Sequence, residues 1–130
     1  MKLDHDCIRD VLLAVESCEF GERINLNTLG EKLPEYQEEQ LWYTCLKLGE
    51  GGYLEIKTVI MRMAPMPGIK QISGLTFQGH EFLDSIRENK NWDKAKKIAQ
   101  KAGVFSVKAL GEIAQNVAAA AVIAALQPHP

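Results

Sequence analysis

The chain has 130 residues, of which 46% are hydrophobic and 25% charged, and its formal net charge is −2. That length suits one domain with a real core, and the mild negative charge argues against a dedicated polyanion binder, whose domain is normally basic. Cys7, Cys18 and Cys45 form no CxxC pair, which argues against a disulfide framework or zinc knuckle and leaves them as small core residues in a reducing compartment.

Asp4 precedes a stripe of Ile8, Val11, Leu12, Val15 and Cys18, so a helix over 5–18 with Asp4 as its N-cap is expected. Phe20-Gly21 ends it, and Arg23–Leu26 suits a short strand. Asn27 or Thr28 then caps a brief helix through Leu33, which Pro34 stops. Another helix starts at Pro34-Glu35-Tyr36, buries Leu41, Cys45 and Leu48, and closes at Gly49, Gly51 and Gly52. Tyr53–Met63 is rich in β-branched and aromatic residues and reads as a strand. Ala64–Gly68 reads as a turn and Ile69–Leu75 as the returning strand.

Thr76 caps a helix through Glu88, with Phe82, Leu83 and Ile86 inward. Asn91 caps Trp92–Ala102, which Gly103 terminates and whose apolar face is Ala95, Ile98 and Ala102. Ser106 caps Val107–Leu126, and Pro128 lies beyond. This order predicts an α+β, mostly helical fold: a winged helix-turn-helix with a two-stranded wing over 1–90, and a C-terminal helical extension over 91–130. The extension comprises a basic helix, 91–102, and an apolar helix, 106–126, in one structural unit with the rest. A lone hairpin is marginal in water, so the helices must cover one of its faces.

Leu75-Thr76-Phe77-Gln78-Gly79-His80-Glu81-Phe82-Leu83 resembles the L-T-x-x-G-x-x-x-L stretch that follows the wing in MarR- and PadR-type regulators. Met1-Lys2-Leu3-Asp4, Ile8–Leu13, and Leu75–Asn89 followed by Trp92 resemble a domain-of-unknown-function family of small bacterial and phage proteins. That resemblance implies a winged helix and a phage or mobile-element setting; it implies no activity and no catalytic residue.

Charge is unevenly spread: residues 1–50 carry a net −6 and residues 87–108 a net +5. The expected recognition helix opens with Glu35, Glu38 and Glu39, which phosphates would repel and a helix N-terminus would favour. Gln37, Gln40 and Lys47 remain there as candidate base contacts, and Arg62 and Lys70 flank the wing. The wing end is instead apolar, with Met61, Met63 and Met66 suited either to an adaptable protein contact or to folding back on the domain. Lys90, Lys94, Lys97 and Lys101 share one helix face, the place where nucleic acid or an acidic protein would dock, though such a stripe is commonly a solvated surface.

His80 and Asp84 imitate part of an H-E-x-x-H pair but lack a third ligand, because His5 and His129 lie near the termini. Gly49–Gly52 follows a helix and precedes a strand, the reverse of a phosphate loop. The expectation is therefore a protein without enzymatic activity, metal or cofactor. Val107, Leu110, Ala114, Val117, Ala121 and Ala124 follow the spacing of a close helix pair, and a homodimer through this helix is expected. The charged N-terminus and the short apolar runs Val11–Val15 and Val117–Leu126 imply a cytoplasmic protein without membrane contact. The expected function is that of a nucleic-acid-associated regulator, the alternative a protein-binding adaptor or inhibitor, so nucleic acid and a host or phage protein are the two candidate partners.

Overall fold

The computed structural model describes residues 1–127, so Pro128 and His129 lie outside the described residues. The chain is α+β. Among the described residues, α1 (His5–Glu16), α2 (Leu26–Lys32) and α3 (Glu38–Glu50) precede a hairpin of β1 (Leu54–Val59) and β2 (Gly68–Leu75). Then follow α4 (Phe77–Ile86), α5 (Asn89–Ala102) and α6 (Val107–Leu126). The fold divides into two compact units, Met1–His80 and Glu81–Pro130.

In the first unit the stripe read from the sequence becomes the core: Ile8, Val11 and Leu12 of α1 are buried with Leu29 of α2 and Leu41, Cys45 and Leu48 of α3. Each such aliphatic side chain contributes about 1.5–3 kcal/mol on leaving water. The side chain of Asp4 accepts from the backbone of Asp6 and Cys7, the expected cap. Cys18 is only half-buried, because α1 stops at Glu16. Polar contacts also tie α1 into the unit. Tyr36 donates to Asp10 across the α2–α3 connection, and the thiol of Cys7 meets the Thr44 hydroxyl at 3.4 Å within the core.

Further element boundaries in the first unit differ from the sequence expectation. The strand expected at Arg23–Leu26 shrinks to a single bridge, Ile24 with Ile72, because Asn25 leaves the extended chain to cap α2. Its side chain accepts from Thr28 at 2.8 Å, so neither Asn27 nor Thr28 is the cap. α3 begins at Glu38 rather than Pro34, the preceding residues being occupied in the turn that carries Tyr36 to Asp10. β1 ends at Val59 rather than Met63: the chain turns at Met61–Ala64, where Ala64 N donates to Met61 O at 3.3 Å and Met63 takes a left-handed φ of 62°.

β1 and β2 pair antiparallel from Leu54↔Leu75 to Val59↔Gly68, with two irregularities in register. Their base is locked to the start of α4. Thr76 N donates to Tyr53 O at 3.1 Å, the Thr76 hydroxyl donates to Gly52 O, and that hydroxyl accepts from Gly79 N at 3.0 Å. Gly79 lies so close to the Tyr53 carbonyl that a Cβ there would overlap its oxygen. This explains both the Thr and the Gly of the L-T-x-x-G stretch.

In the second unit, α5 packs on α6. Trp92, Ala95 and Ala99 of α5 are buried with Leu110, Gly111 and Ala114 of α6.

 The buried set on α5 is thus Trp92, Ala95 and Ala99, whereas Ile98 and Ala102, expected inward, are exposed. Trp92, Ala95 and Ala99 stand three and four residues apart and so share one helix face, beside which Ile98 lies, while Ala102 is the last residue of the helix. Gly111 gives the Phe82 ring room, since a Cβ there would lie 3.0 Å from it. Gly103 ends α5 with a left-handed φ of 70° and Ser106 caps α6 through Ala109 N, both as expected. α5 itself starts at Asn89, two residues before the expected cap Asn91.

Beyond Ala118 the described part of α6 is exposed on every side, including Val122, Ile123 and Leu126. By length and composition α6 is a helix long and apolar enough to cross a membrane. The short run read from the sequence understates it, because the uncharged stretch begins after Glu112.

Two outcomes follow from this packing. Gly79→Ala should lower the unfolding free energy by about 3 kcal/mol, because the obstructing atom is backbone and cannot move aside; urea denaturation measures it. Burial pushes the Cys45 thiol up to about 12 from 9.0 and also raises that of Cys7. The folded state therefore holds these protons more tightly than the unfolded chain, so the Cys45 contribution is complete below pH 9.0 and is lost as pH rises towards about 12. The urea midpoint should fall through that window, less steeply in Cys45→Ala, and half-buried Cys18 should react first with a thiol reagent.

Candidate binding groove

The first turn of α3 and the end of the hairpin enclose an open groove of about 540 Å³. One wall is a single face of α3, where Glu38, Glu39 and Trp42 stand three and four residues apart. The start of α2 contributes Asn25, Leu26 and Asn27. The opposite wall is the hairpin: Val59, Met61, the stretch from Ala64 to Pro67, Gly68 and Ile69. The volume lies in the range of clefts that hold a ligand of a few side chains.

Trp42 fixes the geometry. Its indole Nε1 donates to Pro67 O at 3.0 Å, so the half-buried ring ties α3 to the hairpin end. Pro65 and Pro67 fix their own φ angles and offer no backbone donor. Gly68 lets Met61 fold back, since a Cβ at Gly68 would lie 3.0 Å from the Met61 sulfur. Met61 and Met66 therefore line the groove, while Met63 projects fully into solvent and Ile60 beside it is 94% exposed. The two readings of the methionines divide between residues: Met61 and Met66 turn toward the groove, and Met63 turns outward.

Glu38 and Glu39 are exposed in the first turn of α3, and Gln37, the N-cap, makes no side-chain capping bond. The other sequence candidates lie apart from the groove lining. Gln40 donates to Asp4 at 3.4 Å. Lys47 pairs with Glu50 at 2.9 Å and lies 5.6 Å from the Tyr43 ring centre, and the Glu50 hydrogen bond is the main cause of its raised pKa. Arg62 and Lys70 are exposed on the hairpin. Lys90, Lys94, Lys97 and Lys101 are all exposed, on the side of α5 opposite Trp92, Ala95 and Ala99.

The helix-pair seam divides along α6. Leu110, Ala114 and Val117 are buried within the chain and Val107 is half-buried, whereas Ala121 and Ala124 are exposed. His80 and Asp84 are both exposed, and among the described residues no three His, Cys, Asp or Glu side chains gather to hold a metal. Reading the sequence for apolar periodicity passed over Trp42, the residue that organises the groove. The available signal was its place one residue beyond Leu41, off the buried face, and on the same side as Glu38 and Glu39.

No curated protein and no solved structure matches the chain. Residues 2–105 match a family described as hypothetical protein (DUF2513), a span that runs from before α1 through α5 and ends just short of α6. The chain belongs to the DUF2513 family.

Proposed function

We propose that this chain is a non-catalytic binding protein built as a winged helix, with α3 in the recognition-helix position and the β1–β2 hairpin as the wing. Its principal surface is the groove between them, which takes a segment of a partner protein. The element order and the L-T-x-x-G clamp at the hairpin base support the architecture. One observation carries the choice of a protein over DNA: the charged residues lining the groove are Glu38 and Glu39, both carboxylates, set among Trp42, Met61 and Met66. Phosphates approaching that wall would be repelled, while apolar and thioether surface suits an adaptable protein contact.

A second reading, nucleic-acid association, rests on the lysines of α5, four of which share the solvent face. The resemblance to small phage and bacterial proteins favours a cytoplasmic, mobile-element setting for either reading, with a host or phage protein as the partner under the first. We read α6 as a pairing helix rather than a membrane span, because Lys108 and Glu112 interrupt it and Leu110, Gly111 and Ala114 are already packed. Pairing would then use its exposed end, Val122, Ile123 and Leu126, more than the seam expected from spacing.

Two measurements test these readings. Protein captured from host lysate should be retained by the wild type and lost with Met66→Glu, while random duplex DNA binds weakly in a gel shift. Duplex binding with a log–log salt slope of about −3.6 for four lysines, abolished by changing Lys94, Lys97 and Lys101 to Glu, would instead establish the second reading. In sedimentation, the wild type should run as a dimer and Ile123→Glu as a monomer; equal behaviour of the two would remove the pairing proposal.

A further inference from the structure

We infer that the groove is specific for a protein segment carrying an arginine or lysine beside a large apolar side chain, the cation seated between Glu38, Glu39 and the Trp42 ring. The inference rests on the reading of the groove as a protein-docking surface and names the chemistry of its occupant. Three properties of the site lead to it.

First, the two carboxylates and the indole occupy one helix face, so one guanidinium or ammonium can meet all three. Second, among the described residues no lysine or arginine lines the groove. A purely apolar segment would cover the carboxylates without pairing them, which is costly, and an acidic segment would be repelled. Third, the indole is already held by its bond to Pro67 O, so little freedom is lost when a cation settles on it. The apolar neighbour of that cation is received by Met61, Met66 and Val59 on the facing wall.

The charge requirement also selects among occupants. The exposed end of α6 is the long apolar segment of this chain, but it carries no charged side chain after Glu112. A second copy offering that segment supplies the apolar half of the match and leaves both carboxylates unpaired. A foreign basic-apolar segment supplies both halves.

The test pans a display library of short random peptides against the full chain and then titrates individual selected peptides. Selected peptides should carry Arg or Lys next to Leu, Met or Phe. Their affinity should fall roughly tenfold in the Glu38→Gln, Glu39→Gln double variant, whose changes lie at exposed positions, and when the peptide cation is replaced by norleucine. Selected peptides that lack a basic residue, yet depend on Met66, would overturn the inference while leaving the groove reading intact. Affinity unchanged in the double variant would overturn it equally. Failure to select any peptide whose binding depends on Met66 or Trp42 would overturn the groove reading itself.

Discussion

The hairpin base is held by a single side chain that serves two elements at once. The Thr76 hydroxyl donates to Gly52 O, where α3 has just ended, and accepts from Gly79 N in the first turn of α4. With Thr76 N bound to Tyr53 O, the start of β1, the end of β2 and the start of α4 become one knot. A buried carbonyl without such a partner would cost about 1–3 kcal/mol, and a two-stranded ribbon has little stability of its own to spare. Gly79 is what allows the approach, because any larger residue would meet the Tyr53 carbonyl. Ile72, buried and bridged to Ile24, then fixes the middle of the ribbon against the helices.

Much of this was legible in the sequence because it follows from period and capping chemistry. Asp4 and Ser106 cap where expected, Gly103 terminates α5 in a left-handed conformation, and Ile8, Val11, Leu12, Leu41, Cys45 and Leu48 form the core their spacing implied. What escaped were places where a local competitor overrode a plausible pattern. Arg23–Leu26 alternates like a strand, yet the Asn25 side chain captures Thr28 N and begins a helix. β1 stops at Val59 because Met63 adopts a conformation that propensity does not announce.

The groove was legible only in its parts. Met61 and Met66 stood out by type, and Glu38 and Glu39 by charge. Trp42 did not, because a search for apolar stripes asks which residues face the core, and Trp42 lies between that face and the solvent. The closure through Pro67 O is a contact between residues 25 positions apart, and nothing in local periodicity encodes it. The charge division told more: the acidic N-terminal half supplies the groove wall, and the basic segment supplies the exposed face of α5.

The ribbon is thus fastened twice, at Thr76 below and at Trp42 above, with residues 60–67 strung between strand end and upper fastening. Lengthening a flexible connection is cheap, about 0.6 kcal/mol for each doubling. Insertions on the solvent side of Met63 would therefore remodel the rim and leave both anchor points untouched. A scaffold of this kind leaves the rim free to vary in length and sequence while both fastenings keep their geometry.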